Sequence, residues 1–300
     1  ALHASQALAC IAGGKHVIAE KPLARTSARR ALYSDAAEKA GVVVLEAMRP
    51  LHDPAFVAVR DLMRNLGRIR RADLHFGKYS SRYDEILAGK HTNIFDCAMA
   101  TGSLMDIGVY TVEPLIELFG APESVLAAPV LLDEETRGLT HGPLDGSGVI
   151  IARYADFVAT LHFSKITNDR LPSQIESETA TLTFDGISVP TWARVEHRGT
   201  AVRAAAKQVH VEEGARTEDL ELPQVPNTMV YELSDFCDAV DAVQAGSDPL
   251  DAPAGPFGNV RHYRDVTLAS LALMDEARRQ MGVSFPADAL ASDAPEAGER

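Results

Sequence analysis

The feature that most constrains the fold is an alternation of helical patterns and short apolar runs within the first 45 residues. Helical spacing over residues 3–13 precedes a largely apolar run at 16–19, and helical spacing over 26–40 precedes a second run at 42–45. The runs are apolar at successive positions rather than at every second one, which is typical of strands covered on both faces of a parallel sheet. The chain therefore begins as an α/β layer.

The pattern changes beyond residue 53. A helix is expected at 55–65, alternation starts at Ile69, and a helix is expected around 103–118. Alternating strands beyond Pro122 then include a hairpin, 149–154 with 157–163, and further strands at 174–184 and 193–197. Two more helices are expected at 229–244 and 262–281. The segregation predicts α/β plus α+β, with a parallel-sheet domain (1–52), an α+β domain with a large, mainly antiparallel sheet (53–285) and a disordered tail (286–300).

The charge balance excludes some classes of partner. Acids outnumber Lys and Arg 42 to 29, giving a net charge of −13, whereas a nucleic-acid binder needs a basic face. We therefore expect no nucleic acid and no anionic membrane as partner, and no apolar run approaches the ~20 residues that span a bilayer. The three cysteines are widely spaced and odd in number. They predict buried free thiols in the cytoplasm, with neither a disulfide framework nor metal spacing.

Two stretches carry residues suited to chemistry. Glu20 and Lys21 follow the first apolar run, at the strand end where open α/β sheets bind ligands. Asp106 and Tyr110 lie four residues apart on one helix face, and Gly108 between them permits a close approach. A phenol is a poor base unless a cation within about 4–6 Å lowers its pKa, and Lys21 is the candidate. The alternative is that Asp106 and Tyr110 form only a solvated hydrogen bond.

Four stretches together resemble the glucose-fructose oxidoreductase, inositol dehydrogenase and rhizopine-catabolism (Gfo/Idh/MocA) family of NAD(P)-dependent oxidoreductases. They are "ALHASQALACIAGGKHVIAEKPLA", "VVVLEAMRPLHDP", "GSLMDIGVY" and "YELSDFCDAVDAVQAG". The resemblance implies a Rossmann domain followed by a domain whose large sheet has an open face. In relatives that face forms homodimers or higher homo-oligomers. The partners implied are a small-molecule substrate and further copies of the chain.

The resemblance also implies roles for individual residues. Lys21 would lie by the nicotinamide and the substrate oxygen, and Asp106 would bind or orient a substrate hydroxyl. Tyr110 stands where many members have a histidine that gives or takes the proton. A tyrosine at this position resembles the glucose-fructose oxidoreductase and dimeric dihydrodiol dehydrogenase branch. Hydride transfer requires such a proton exchange at the substrate oxygen.

The cofactor, NAD or NADP, would be held in part by Glu20, Lys21, Pro22 and Arg49. Arg49 follows the second apolar run, and a surface arginine is an equally good interpretation. The sequence departs from the family in having no G-x-G-x-x-G turn for the pyrophosphate. By resemblance it begins at the helix before the fourth Rossmann strand, so we expect a truncated Rossmann domain. An inactive fragment, or a non-catalytic member, is therefore the alternative to an oxidoreductase acting on a sugar, polyol or related hydroxy or carbonyl compound.

Other candidates are weaker. His16, His75 and His162 lie in strands and are interpreted as structural, and no metal triad is visible. Cys97 has no identifiable base partner, and a hydrolase is disfavoured because no G-x-S-x-G turn is present. Ala100 stands before the Asp106 helix where relatives often have glycine. Four polar residues before that helix are candidates for sugar contacts or solvated side chains: Arg82, Tyr83, His91 and Asn93.

Overall fold

The computed structural model describes residues 3–203, 210–286 and 288. The chain opens with a small layer composed of α1 (His3–Ala12), β1 (Val17–Glu20), α2 (Ser27–Ala40) and β2 (Val44–Ala47). β1 and β2 are parallel, with Val17 opposite Val44. α1 packs against β1 and α2. The parallel pairing predicted from the two apolar runs is present.

Two details of this layer differ from expectation. β1 is half-buried rather than covered on both faces, and within the described residues it pairs only with β2. β2 begins two residues later than the apolar run at 42–45, because the N–H of Val42 still caps α2 by donating to Ala37 O. Gly41, with φ of 67°, makes the left-handed turn that such a helix end requires.

A short connection leads to the second layer. A 3₁₀ turn, Arg49–His52, follows β2 and precedes α3 (Pro54–Arg64). Asp53 caps α3 by accepting a hydrogen bond from Ala55 N, and Pro54 occupies the first turn, where its missing N–H costs nothing. Arg49 is thereby placed just beyond the carboxyl end of β2.

The second layer contains one eight-stranded sheet. The strands of this layer are, in chain order, β3 (Ile69–Gly77), β4 (Ser124–Leu131), β5 (Asp145–Arg153), β6 (Val158–Ser164), β7 (Ser173–Ser177), β8 (Ala180–Phe184), β9 (Trp192–His197), β10 (Thr200–Arg203), β11 (His210–Glu213) and β12 (Arg216–Glu221). β10 and β11 form a separate hairpin, and the other eight strands form the sheet. The order in the sheet is β12-β9-β8-β7-β3-β6-β5-β4. Only the β3–β6 pair is parallel, so the sheet is mainly antiparallel, as predicted.

Helices cover one face of this sheet. The remaining helices are α4 (Ser81–Leu87), a π-helical turn (Leu104–Gly108) continuing into α5 (Val109–Phe119), α6 (Arg137–Thr140), α7 (Met229–Gln244) and α8 (Val260–Met281). α5 packs on β3, β6 and α8, while α8 also contacts α2, β2 and β4. α8 therefore joins the two sheets. None of the described helices combines the length and apolarity needed to cross a membrane.

Three local predictions need correction. The stretch 174–184 is not one strand but the hairpin β7–β8, because Ser177 accepts the N–H groups of Thr179 and Ala180 and turns the chain. The polar segment before residue 92 contains α4, which Ser80 caps. Of the cysteines, expected to be buried, only Cys97 is; Cys10 and Cys237 are free but exposed. Apart from 286 and 288, the tail predicted to be disordered lies outside the described residues.

Candidate active site

The helix that carries Asp106 and Tyr110 is anchored by a buried carboxylate. Asp145, the first residue of β5, accepts a hydrogen bond from Leu104 N at 2.6 Å through its Oδ2. Gly102 has φ of 123°, and a Cβ there would lie 2.4 Å from Asp145 Oδ1, so only glycine fits. Val109 N–H reaches back to Leu104 O, five residues earlier, which widens the first turn. Such π-helical turns are frequent at functional sites.

Lys21, Asp106 and Tyr110 lie together, although 85 residues separate the first two. Lys21 Nζ donates to the backbone O of Asp106 at 2.6 Å and to its Oδ1 at 2.8 Å. The same ammonium lies 4.7 Å from the centre of the Tyr110 ring. Lys21 follows β1 directly and precedes Pro22 across a cis peptide bond. The strand end and the helix face singled out in the sequence thus form one cluster.

Lys165 completes this cluster and was missed in the sequence. Its Nζ lies 2.5 Å from Asp106 Oδ2, and its side chain is 2% exposed. The signal for it is the stretch "LHFSK", in which a lysine directly follows a strand, as Lys21 follows β1. Both carboxylate oxygens of Asp106 therefore bind lysines, and a solvated Asp106–Tyr110 pair is not what the structure contains.

Burial and charge set the ionisation of the cluster. Burial would raise the pKa of Asp106, but the charges and hydrogen bonds of Lys21 and Lys165 outweigh it and hold that pKa below its usual value. For Tyr110, burial is the largest effect and raises the pKa, while Lys21 and Arg49 pull it down only in part. The expected sign of the Lys21 effect is right, but the expected net lowering is wrong for the free protein. Burial also lowers the pKa of Lys165.

Two cavities meet at Lys21 and Asp106. The proline-side cavity, about 250 Å³, is lined by Lys21, Pro22, Leu23, Ala24, Arg25, Asn93, Ile94, Met99, Ala100, Thr101, Met105 and Asp106. The tyrosine-side cavity, about 360 Å³, is lined by Lys21, Arg49, Phe76, Lys78, Tyr79, Ser80, Ser81, Ile94, Asp106, Ile107, Tyr110 and Lys165. All four members of the cluster border the tyrosine-side cavity, which brings phenol, carboxylate and two ammonium groups into reach of one small molecule.

The residues suggested for the cofactor divide between these cavities. Lys21 and Pro22 line the proline-side cavity and Arg49 the tyrosine-side cavity, whereas Glu20 lines neither. Arg49 Nε is buried and has no hydrogen-bond partner within the described chain. A buried N–H without an acceptor is a group that a bound ligand oxygen can satisfy. The residues beyond β1 and β2 thus fit one end of a dinucleotide.

The polar candidates before the helix lie in different surroundings, and Asn93 is the one that borders a cavity of the cluster. Asn93 lines the proline-side cavity. Arg82 pairs with Glu85 on the exposed surface of α4, and Tyr83 packs against Phe95. Ala100, which stands where a glycine was noted in relatives, adopts a left-handed conformation with φ of 54°. That backbone favours glycine, so the replacement stores strain in the cavity wall, of order 1 kcal/mol.

The strand histidines make contacts within the sheets. His16 Nδ1 accepts a hydrogen bond from Val43 N. His75 and His162, opposite each other on β3 and β6, stack with ring centres 4.4 Å apart, and His75 Nδ1 bonds Asp169 at 2.8 Å. None of the three lines either cavity of the cluster. The geometry agrees with structural roles.

Comparison with known proteins places the chain in a family. Residues 56–183 match the GFO/IDH/MocA C-terminal domain. The chain is 33% identical over 288 residues to scyllo-inositol 2-dehydrogenase (NADP(+)) of Bacillus subtilis, covering 96% of this chain and 77% of that protein. It is 32% identical over 289 residues to an uncharacterised oxidoreductase of Escherichia coli, with the same coverage.

Solved structures share the fold. A 3-ketoreductase from Actinomadura kijaniata, in complex with NADP and TDP-benzene, superposes with a TM-score of 0.72 at 19% identity, over 93% of this chain and 75% of that one. An aldose-aldose oxidoreductase from Caulobacter crescentus gives 0.69 at 19% identity, over 93% and 73%. With the domain match and the identity over nearly the whole sequence, the chain belongs to the GFO/IDH/MocA family of oxidoreductases.

Proposed function

We propose that the chain transfers a hydride between the nicotinamide of NAD or NADP and a sugar, polyol or related hydroxy or carbonyl compound. The observation that carries the proposal is the cluster itself. Lys21 lies between the Asp106 carboxylate and the Tyr110 ring, and all three border one cavity. The Bacillus subtilis and Actinomadura kijaniata relatives, a dehydrogenase and a ketoreductase named with NADP, support this class of reaction.

Tyr110 is the group suited to exchange the proton at the substrate oxygen. Its raised pKa keeps the phenol protonated at neutral pH, so in carbonyl reduction it donates its proton to the oxygen as the alcohol forms. In alcohol oxidation it must accept that proton, and the Lys21 ammonium near its ring stabilises the phenolate that results. Tyr110 and Lys21 thus act at the same oxygen.

Asp106 and Lys165 are suited to binding and positioning. The ionised carboxylate of Asp106 has lone pairs beyond those used by the two lysines, so it can also accept a substrate hydroxyl. Lys165, held at Oδ2, keeps Asp106 ionised and leaves Lys21 oriented towards the substrate. Tyr79, Ser80 and Ser81 add hydroxyl groups to the tyrosine-side cavity. This polar lining supports a polyhydroxylated substrate.

The cofactor would supply or accept the hydride. Lys21 and Pro22 would hold its nicotinamide end from the carboxyl end of β1, with Glu20 beside them and Arg49 donating from the end of β2. In open α/β sheets this end of the strands receives the ligand. The protein residues exclude water, orient the substrate and exchange its proton.

The first experiment is a fluorescence titration of the purified chain with NADH and with NADPH. Saturable binding of either by a chain shown to be folded by circular dichroism supports the proposal. Sugars, inositols and their keto derivatives then form the substrate panel. Lys21→Met should abolish turnover without unfolding the protein, and Lys90→Met, an exposed lysine outside both cavities, is the matched control. A folded chain that binds neither nucleotide contradicts the proposal and favours the non-catalytic alternative.

We also propose that the chain forms a homodimer or higher homo-oligomer through the open face of the large sheet. Leu126, Val130, Ile151 and Val158 are 67%, 55%, 38% and 41% exposed on neighbouring strands β4, β5 and β6. Contiguous exposed apolar side chains mark interaction surfaces.

A cytoplasmic location is also part of the proposal, supported by three cysteines that are all free.

A further inference from the structure

We propose that His91, Asp96 and His141 bind a divalent transition-metal ion, for which Zn²⁺ is the natural probe. His91 Nε2 lies 2.9 Å from Asp96 Oδ2, and His141 Nδ1 lies 2.9 Å from Asp96 Oδ1. The three ligand atoms all lie within 4.8 Å of one another. The cluster does not border the tyrosine-side cavity, so it is separate from the proposed catalytic groups.

The ligand types and the burial suit zinc. Zn²⁺ binds imidazole nitrogen and carboxylate oxygen at about 2.0–2.2 Å, and three protein ligands commonly leave the fourth position to water. Ligand atoms on a tetrahedral ion then lie roughly 3.3–3.5 Å apart. The present 2.9 Å spacings involve different oxygens of Asp96 and would need to open by about half an ångström. Ligand atoms that now lie up to 4.8 Å apart would need to approach one another, and rotations of the two histidine side chains supply both movements. The Asp96 side chain is 7% exposed, while those of His91 and His141 are 47% and 54% exposed. The carboxylate side of the cluster is therefore buried, and the imidazole side is open to solvent.

The carboxylate is already held in place. Asp96 Oδ1 also accepts a hydrogen bond from Ala98 N at 2.8 Å, and the Asp96 backbone exchanges hydrogen bonds with Thr101 Oγ1. Partners of this kind orient ligands and raise metal affinity. The Asp96 carboxylate is therefore already oriented, and only the two exposed imidazoles would need to move when an ion binds.

A second histidine–aspartate set in the sheet shows what such a site needs. There, His75 bonds Asp169, but His162 stacks flat on His75 instead of directing a nitrogen at the carboxylate. In the described part of the chain, only the His91–Asp96–His141 group brings three such atoms together. His91 and Asp96 are five residues apart, but His141 lies 45 residues beyond Asp96, which is why spacing in the sequence did not reveal the cluster.

Metal binding would act on the proline-side cavity. That cavity is lined in part by Asn93, Ile94, Met99, Ala100 and Thr101, which lie on either side of Asp96 in the chain. The metal would tie this segment to the turn at His141. The competing interpretation is a hydrogen-bonded clamp, in which each imidazole donates to Asp96 and no ion enters. The two interpretations differ in whether the chain binds zinc.

The test is equilibrium dialysis of the untagged full chain against Zn²⁺, with zinc counted by mass spectrometry. We expect one high-affinity ion per chain, and at least a tenfold weaker affinity in His91→Gln and in His141→Asn. Asparagine is chosen because His141 has φ of 53°, a backbone that asparagine tolerates. The controls are His162→Gln, from the second histidine set, and Cys10→Ser with Cys237→Ser, which removes the exposed thiols; all should bind like the parent.

A second readout separates metal binding from a structural role. Zinc should raise the melting temperature of the parent and of the controls but not that of His141→Asn. A parent chain that takes up no zinc, or a His141→Asn variant that binds it with unchanged affinity, overturns the proposal and leaves the hydrogen-bonded clamp. The nucleotide titration does not depend on this result.

Discussion

Lys165 Nζ lies 2.5 Å from Asp106 Oδ2, on the carboxylate oxygen that Lys21 leaves free. Two ammonium groups thus share one carboxylate beside Tyr110. Charge-assisted hydrogen bonds of this kind are worth about 1.5–3 kcal/mol. The pairing makes Lys165 a positioning residue for the proposed reaction, because it acts through Asp106.

The Lys165→Met variant tests that role. We expect kcat/KM to fall by roughly 10- to 100-fold, which corresponds to the energy of one such bond. Because Lys165 helps hold the pKa of Asp106 low, its removal should move the acid limb of the pH profile to higher pH. Lys90→Met, an exposed lysine outside the site, is the control. A lower rate with an unmoved acid limb would assign Lys165 to folding rather than to Asp106.

The Tyr110→Phe variant separates proton exchange from binding. The phenyl ring keeps the packing against Phe76, whose ring centre lies 5.0 Å away, but it has no proton to donate. We expect kcat to fall at least ~10²-fold, the lower range for general acid–base catalysis. The NADPH dissociation constant from the fluorescence titration should stay unchanged. Near-full turnover in this variant would contradict the role given to Tyr110.

The sequence predicted the local elements well because their signals are local. A helix end such as Gly41 is a short-range feature, and the bounds of α7 are those expected. Lys21, Asp106 and Tyr110 were found because each stretch has a recognisable pattern, and the family resemblance linked them. Their roles remain proposals.

Long-range contacts could not be predicted in the same way. Lys165 meets Asp106 across 59 residues, because the π-helical turn that carries Asp106 packs on β6, a long-range contact that no local pattern indicates. The His91–Asp96–His141 cluster also depends on where two loops meet. The ionisation of Tyr110 was misjudged because burial, which only the packed structure reveals, outweighs Lys21.

The Gly108→Ala variant tests how closely the Asp106 helix packs on the sheet. A Cβ at Gly108 would lie 2.8 Å from Leu104 Cδ1 and 3.1 Å from Phe163 Cγ of β6. Overpacking costs about 1–3 kcal/mol, while alanine gains up to ~1 kcal/mol in helix propensity. We expect a net loss of unfolding free energy in urea, and reduced activity as the helix shifts. Gly138→Ala, where a Cβ meets nothing within 4 Å, should be neutral or better.

The Leu126→Arg variant tests the proposed oligomer. Leu126 on β4 lies opposite Ile151 on β5, and both are exposed on the open face of the sheet. A charge placed in this apolar pair cannot be desolvated without a partner, so the variant should be monomeric in light scattering after size exclusion. Leu233→Arg, on α7 and 53% exposed, is the control that should leave the assembly intact. An unchanged mass for Leu126→Arg would mean that copies meet elsewhere.

The Asp145→Asn variant tests whether the carboxyl group that anchors the Asp106 helix makes the stability of the protein depend on pH. Burial raises the pKa of Asp145 from 3.8 to about 7, more than its hydrogen bond to Leu104 N lowers it. Between these values the unfolded chain has released the proton while the folded chain still holds it. Stability therefore falls as pH rises from about 4 to 7 and changes no further above that, by a few kcal/mol at about 1.4 kcal/mol per pKa unit.

Asparagine keeps the carbonyl oxygen that accepts from Leu104 N but cannot ionise. The parent should therefore lose stability relative to Asp145→Asn between pH 5 and pH 7.5 in urea unfolding. Burial also raises the pKa of Glu232 to about 7, but that residue is present in both proteins and cancels in the difference. Asp238→Asn, on the exposed side of α7, is the matched control for the loss of a carboxylate. A constant difference between the parent and Asp145→Asn would mean that Asp145 is already ionised in the folded protein at pH 5. Its carboxylate would then anchor the helix with full charge.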